Sequence, residues 1–188
     1  LRSVVRPAVE LLAGIPSVLY GVFGLGIIVP YVLKISPMAQ GESLLATILV
    51  LAIMILPTVV SISETSISAV PKEYREGSYA LGASKIQTIF KVVLPAARSG
   101  IMTGVILGIG RAIGETMAVM LVCGNPIAGI PTSLFDQIRP LTTNIALEMG
   151  YASGVHQELL YSTGVVLFIF IMIINLAVNK LVKAKVGS

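Results

Sequence analysis

The chain has 188 residues, 55% hydrophobic and only 12% charged, with a net charge of +4. With a mean hydropathy of +0.94, this excludes an ordinary water-soluble domain and points to an all-α, polytopic membrane protein. A single cysteine, Cys123, and a single histidine, His156, exclude an internal disulfide, a multi-cysteine metal site and a histidine cluster.

The chain begins at Leu1, and no basic segment with a small-residue cleavage site precedes the first apolar run. A fragment lacking its native N-terminus is therefore expected. Arg2 and Arg6 lead into an apolar run over about residues 8–33, interrupted by Glu10, Pro16 and four glycines from Gly14 to Gly26. This reads as a broken span whose interruptions either let neighbouring helices approach or line a polar path. A short polar connection, residues 34–43, precedes a second span over 44–62 with a kink expected at Pro57. Its polar tail carries Glu64, expected near the cytoplasmic interface.

Residues 71–95, PKEYREGSYALGASKIQTIFKVVLP, form a charged island with Lys72, Arg75, Lys85 and Lys91. Tyr74, Gly77, Ser78 and Leu81 share one face of a short helix. Gly82 ends it, and Ser84 with Gln87 reads as the capping box of a second helix. Ile86, Ile89, Phe90 and Val93 make an apolar stripe on that helix, which Pro95 is expected to stop. A folded unit outside the bilayer with one apolar face is expected to dock on a partner.

The third span is expected over 99–124. Gly100, Gly104, Gly108 and Ala112 form a ridge of small residues that allows close helix approach. Arg111 and Glu115, four residues apart, would share a face of this helix inside the membrane. An arginine at the centre of a span costs about 2.5–3.5 kcal/mol on insertion scales, so it is paired or faces water. Either Glu115 satisfies it in an ion pair, or Arg111 meets an anionic solute in a polar path. A guanidinium suits phosphate-like oxyanions because it donates two parallel hydrogen bonds. Glu115 would hold Arg111 or accept a hydrogen from a protonated oxyanion, and Thr116 would add a hydroxyl.

Residues 125–158 form a long connection with Asp136, Glu148 and Glu158 against Arg139, and a short helix is expected over 142–149. The fourth span covers 159–179, with Lys180, Lys183 and Lys185 at its end. The basic segments are the N-terminus, the 71–95 island and the tail, so both ends of the chain are expected to be cytoplasmic, in a multi-pass cell-membrane protein. The excess positive charge lies in these loops and needs no nucleic-acid partner. GIGRAIG has its third glycine one position late for a dinucleotide fingerprint and lies inside an apolar run. With no P-loop, no HExxH and no histidine beside a nucleophile, neither an enzymatic activity nor a cofactor is expected in this chain.

The segment EGSYALG, nine further residues and VVLP resembles the Glu-Ala-Ala loop of type I ABC importer permeases. Glu76, Gly82, Leu94 and Pro95 match that pattern, Gly77 and Ser78 stand for its two alanines, and Val92 for its isoleucine. AGIPSVLYGVFGL, GIGRAIGETMAVMLVCGN and TTNIALEMG are similar to the phosphate-specific permeases, and ETMAV to the first-named of their two permease subunits. The resemblance covers essentially the whole chain. It implies an ABC transporter type I transmembrane domain over residues 1–188, with residues 71–95 as the coupling loop seated on an ATP-hydrolysing subunit. It also implies a second homologous permease, an ATPase dimer that binds ATP and magnesium, and an external phosphate-binding protein. Arg111 and Glu115 are implied on the phosphate path. Members of the family normally carry about two further spans before the point where this chain begins. The rival readings are a permease for another oxyanion, such as a phosphonate, sulfate or molybdate, and a secondary anion transporter or channel.

Overall fold

The computed structural model describes residues 2–37, 40–127 and 129–186. Leu1 and residues 187–188, the two ends of the expected domain, lie outside these, as do residues 38–39 and 128 in the two connections expected to be external. In chain order the helices are α1 (Arg2–Ala13), α2 (Ser17–Phe23), α3 (Val29–Ile35), α4 (Leu44–Ser68) and α5 (Lys72–Ala80). There follow α6 (Lys85–Thr88), α7 (Leu94–Ile113), α8 (Met117–Val122), α9 (Leu141–Glu148) and α10 (Val155–Val186). Two π-helical turns, Gly24–Ile28 and Ile89–Val93, join α2 to α3 and α6 to α7. Among the described residues, four continuous helical stretches are long and apolar enough to cross a membrane: Ser17–Ile35, Leu44–Ser68, Lys85–Ile113 and Val155–Ala177.

Three prolines shape these helices, each for a local reason: Pro16 breaks the first run as expected, and Pro95 alone acts against the sequence expectation. The first apolar run is not one span from residue 8, because Pro16 cannot donate to a preceding turn and biases Ile15 away from helical geometry. Pro16 instead occupies the N-cap of α2 with φ −56° and ψ 140°. Pro95 does not stop the second helix of the charged island, and the third span begins at Lys85 rather than at residue 99. The π turn at Ile89–Val93 ends two residues before Pro95, just as the turn at Gly24–Ile28 ends two residues before Pro30. A widened turn relieves the clash between a proline ring and the carbonyl of the preceding turn, so each helix passes its proline. Pro57 likewise lies within α4, which continues past the expected end at residue 62 to Ser68. In its polar last turns Thr65 Oγ1 and Ser66 Oγ are satisfied within the helix, donating to the carbonyls of Ser61 and Ile62 at 2.9 and 2.7 Å.

The chain divides into two compact units. One comprises residues 14–55 and 110–175. Its core is Tyr20, Ile28, Val32, Val50, Met54, Ala118 and Val122, from α2, α3, the first part of α4, α8 and the π turn between α2 and α3. Contact here depends on glycine: a Cβ on Gly21 would lie 2.8 Å from the Ala118 Cα, and one on Gly24 would lie 2.5 Å from Val50 Cγ2. The free N–H groups that open α4 are taken by the connection after α8. Leu44 and Leu45 donate to the carbonyls of Asp136 and Leu134 at 2.8 and 2.7 Å, and Ala46 donates to the Ser43 hydroxyl at 3.2 Å.

The other unit comprises residues 1–13, 56–109 and 176–188. Val70, Val93 and Ala97 form its buried centre. Gly100 lies against Ser66, where an added Cβ would meet the hydroxyl at 2.1 Å, and a Cβ added at Gly104 would lie 3.1 Å from the Ile62 Cβ. Gly108 is buried farther along the same helix.

Enlarging Gly21 forces backbone apart, whereas a Cβ on Gly26 meets nothing within 4 Å. Gly21→Leu is therefore expected to destabilise the protein by about 1–3 kcal/mol through overpacking. Gly26→Ala should hold or raise the melting temperature, since glycine inside a helix is the poorer residue by about 1 kcal/mol. Thermal melts of the purified protein in detergent check the pair, and equal shifts would contradict this account of the contact.

Candidate functional site

The expected third span breaks where its charged residues lie. α7 ends at Ile113, Gly114 turns the chain, Glu115 and Thr116 are non-helical, and α8 starts at Met117. Arg111 and Glu115 thus do not share a helical face, and among the described residues no ion pair joins them. The physical reason is that the Glu115 carboxylate has another task. Its Oε1 accepts the Ala118 N–H at 3.1 Å, which closes the first turn of α8. The Glu115 carbonyl accepts from the Thr142 hydroxyl of α9 at 3.2 Å, and Thr116 Oγ1 donates to the Gly114 carbonyl at 3.3 Å. Arg111 is half-buried in the last turn of α7, and its side chain makes no hydrogen bond or ion pair with any described residue. The break leaves one unengaged guanidinium beside two half-buried residues, Glu115 and Thr116, whose polar atoms mainly serve the backbone.

A second polar cluster lies in the same unit, on the connection that follows α8. Glu148, the last residue of α9, is paired with Arg139, accepts from the Tyr151 hydroxyl, and has His156 Nε2 at 3.5 Å. The Tyr151 and Arg139 hydrogen bonds hold the Glu148 carboxyl below its ordinary range. Sequence reading placed α9 within a residue at each end but missed this cluster. The signal was an arginine and a glutamate just outside and just inside an eight-residue helix, a spacing that matches no i, i+4 rule. Asp136 is also held low, by the backbone N–H groups of Thr132 and Ser133 at 2.7 and 2.8 Å. That turn presents the carbonyls that close the start of α4.

In the other unit the charged island is a closed helix–turn–helix. Gly82, at φ +81°, ends α5 in a Schellman turn: Gly82 N–H donates to the Tyr79 carbonyl at 2.9 Å and Ala83 N–H to the Ser78 carbonyl at 3.1 Å. The capping box at Ser84 and Gln87 is formed, with both hydrogen bonds present, at 3.3 and 2.9 Å. A buried hydrogen bond of 2.9 Å between the Ser78 and Thr88 hydroxyls clips α5 to α6. Arg75 ties the unit down by donating to the Ile67 carbonyl at the end of α4, 3.1 Å away. Of the two expected apolar faces, only Ser78 and Val93 are buried. Tyr74, Leu81, Ile86, Ile89 and Phe90 are exposed, Leu81 by 90%. An open groove is lined by Glu73, Tyr74, Gly77, Leu81, Gln87 and Lys91. Glu76 and Gly77 are exposed beside it, Leu94 is half-buried and Pro95 is exposed. Among the described residues, no group of three or more His, Cys, Asp or Glu side chains is arranged to hold a metal ion.

The family model described as the binding-protein-dependent transport system inner membrane component matches residues 1–187. The chain is 48% identical to the probable ABC transporter permease protein YqgH of Bacillus subtilis, over 93% of this chain and 58% of that protein. It is 36% identical to the phosphate transport system permease protein PstC of Pasteurella multocida, over 96% of this chain and 62% of that protein. With PstC of Mesorhizobium japonicum the identity is 37%, over 93% of this chain and 59% of the relative. The chain thus spans about three fifths of the length of the curated relatives it matches. No solved structure matches it significantly.

Because the Glu148 carboxyl is held low in the folded protein, its contribution to stability is present at neutral pH, above the ordinary carboxylate range. That contribution disappears as the pH falls through the depressed value. Melting temperatures taken from neutral to acid pH should fall for the native protein and fall less steeply for Glu148→Gln, which starts lower. Parallel curves would remove Glu148 from the account.

Proposed function

The chain belongs to the binding-protein-dependent transport system inner membrane component family, and we propose that it is one permease subunit of an ATP-driven importer of inorganic phosphate. The observation that carries this reading is the unit at residues 72–93. It is closed by its own caps, yet its tyrosine, leucine, isoleucine and phenylalanine side chains are left uncovered. It continues without a break into the helix that bears Arg111. Tyr74, Tyr79 and Leu81, exposed on α5 and its closing turn ahead of the span that begins at Lys85, support a protein partner.

In this reading α5, with Glu76, Gly77 and Ser78 on its exposed and clipped faces, seats in a groove of the ATP-hydrolysing subunit. ATP and magnesium bind in that partner. A second, homologous permease completes the path, and an extracytoplasmic phosphate-binding protein delivers the solute. Both ends of the chain and the 71–95 island face the cytoplasm. Closure of the ATPase dimer draws the coupling helices together, and a helix continuous from Lys85 to Ile113 passes that motion on, because Leu94 and Pro95 lie inside it and not at a hinge. The path then alternates between outward and inward access.

Arg111 is the group that engages the solute. A phosphate oxyanion has two oxygens spaced for the two parallel N–H donors of a guanidinium, and the bond is stronger where water is scarce. That no described residue pairs with its side chain supports this assignment, since an arginine in a span needs something to satisfy it. Glu115 supports Arg111 indirectly by holding the break open and ordered, and Thr116 lies in the same turn. The phosphate transport named in two of the relatives supports the choice of solute.

Phosphate uptake by the assembled complex in vesicles should drop by an order of magnitude or more in Arg111→Ala, with the subunits still co-purifying, and recover in part in Arg111→Lys. Uptake equal to the native rate in Arg111→Ala would remove Arg111 from the path, and competition by sulfate or molybdate at equal strength would overturn the solute. Gly82→Pro cannot adopt a positive φ, so it should abolish co-purification of the ATPase while the two permeases stay together. A retained ATPase would overturn the docking assignment.

A further inference from the structure

The unit containing α2, α3 and the first part of α4 carries a groove on its exterior that the proposed transport cycle does not use. Its volume is about 520 Å³, and Gly26, Pro30, Tyr31, Lys34, Leu49 and Ile53 line it. The sequence produces it in three ways. The π turn at Gly24–Ile28 widens the helix, Gly26 contributes no side chain, and Pro30 leaves its turn without a donor. Across the gap, Leu49 and Ile53 of α4 lie one turn apart and both are more than a third exposed. The lower and middle parts are therefore apolar, while one end carries the Tyr31 phenol and the Lys34 ammonium. Both residues are exposed, and neither side chain makes a hydrogen bond or ion pair with any described residue.

The geometry points to a binding site for one anionic phospholipid. An acyl chain lies along Gly26, Leu49 and Ile53, and the lipid phosphate meets Lys34 and Tyr31. Length and charge argue for this occupant. Gly26 and Lys34 are eight residues apart, about 12 Å along a helix at 1.5 Å per residue. That is close to the depth of one leaflet, about half of a hydrocarbon core about 30 Å thick. Lys34 stands at the end of an apolar span, where a lysine and a tyrosine meet headgroups in the interfacial region. A transmembrane helix of a protein partner would leave that ammonium facing apolar side chains, whereas a phosphatidylglycerol phosphate neutralises it.

The test uses the native permease purified with its partner subunits in mild detergent and exposed to mixed phosphatidylglycerol and phosphatidylcholine. Native mass spectrometry counts the retained lipids. The native complex should retain phosphatidylglycerol in preference to phosphatidylcholine. Lys34→Gln should reduce that preference several-fold while leaving phosphatidylcholine retention unchanged. Gly26→Leu, which fills the groove from a position with free space, should lower retention of both lipids without changing subunit composition or lowering the melting temperature. Unchanged retention of both lipids in the two variants would overturn the site. So would loss of a partner subunit from Gly26→Leu with lipid retention intact, because the groove would then hold protein.

Discussion

A helix that ends within or beside an apolar span must give its free backbone groups a partner, because a bilayer supplies no water to satisfy them. This chain interrupts its helices repeatedly, and the closing of those ends decides where its polar side chains go. Ser43 and the carbonyls of Leu134 and Asp136 close the start of α4. Glu115 closes α8, and Ser84 with Gln87 closes α6. Each cap removes a side chain from the set that could do chemistry. Arg111, in the last turn of α7, is left with no such duty.

The same constraint explains how rigid segments and breaks alternate. Where a proline sits inside a span, a π turn or a continuous helix carries the chain past it, as at Pro30, Pro57 and Pro95. Where proline or glycine starts a new direction, the turn is closed by backbone hydrogen bonds, as at Pro16 and Gly82. Glycine then sets how closely the helices approach. In one unit Gly21 and Gly24 admit Ala118, Val50 and Val122, and in the other Gly100 and Gly104 admit Ser66 and Ile62. Packing of this kind needs no hydrophobic driving force, which apolar lipid would not provide.

Much of this was legible in the sequence. The helical membrane class, the number of apolar stretches, the turn at Gly82, the capping box at Ser84 and the short helix α9 all follow from local rules that need no distant partner. What sequence reading misplaced were the effect of Pro95 and the fate of Glu115. A rule for proline assumes a regular turn before it, and a π turn breaks that assumption without any distinctive residue in IFKVV. The i, i+4 rule assumes a helix through Gly114. There the chain turns instead, and the carboxylate finds the Ala118 N–H before it finds a guanidinium. The Arg139–Glu148–Tyr151 cluster was invisible because its members meet only once α9 is folded.

If the carboxylate at position 115 serves the backbone and Arg111 serves the solute, the two residues should respond differently to subtle changes. The most direct measurement is phosphate uptake by the reconstituted complex carrying Glu115→Gln, set beside Glu115→Ala. A glutamine side chain keeps an oxygen that can accept the Ala118 N–H but removes the charge. The account predicts that Glu115→Gln keeps most of the native uptake and thermal stability, while Glu115→Ala loses both. Equal loss of uptake in the two variants, with stability intact, would show that the charge of Glu115 is what Arg111 needs, and would contradict the account.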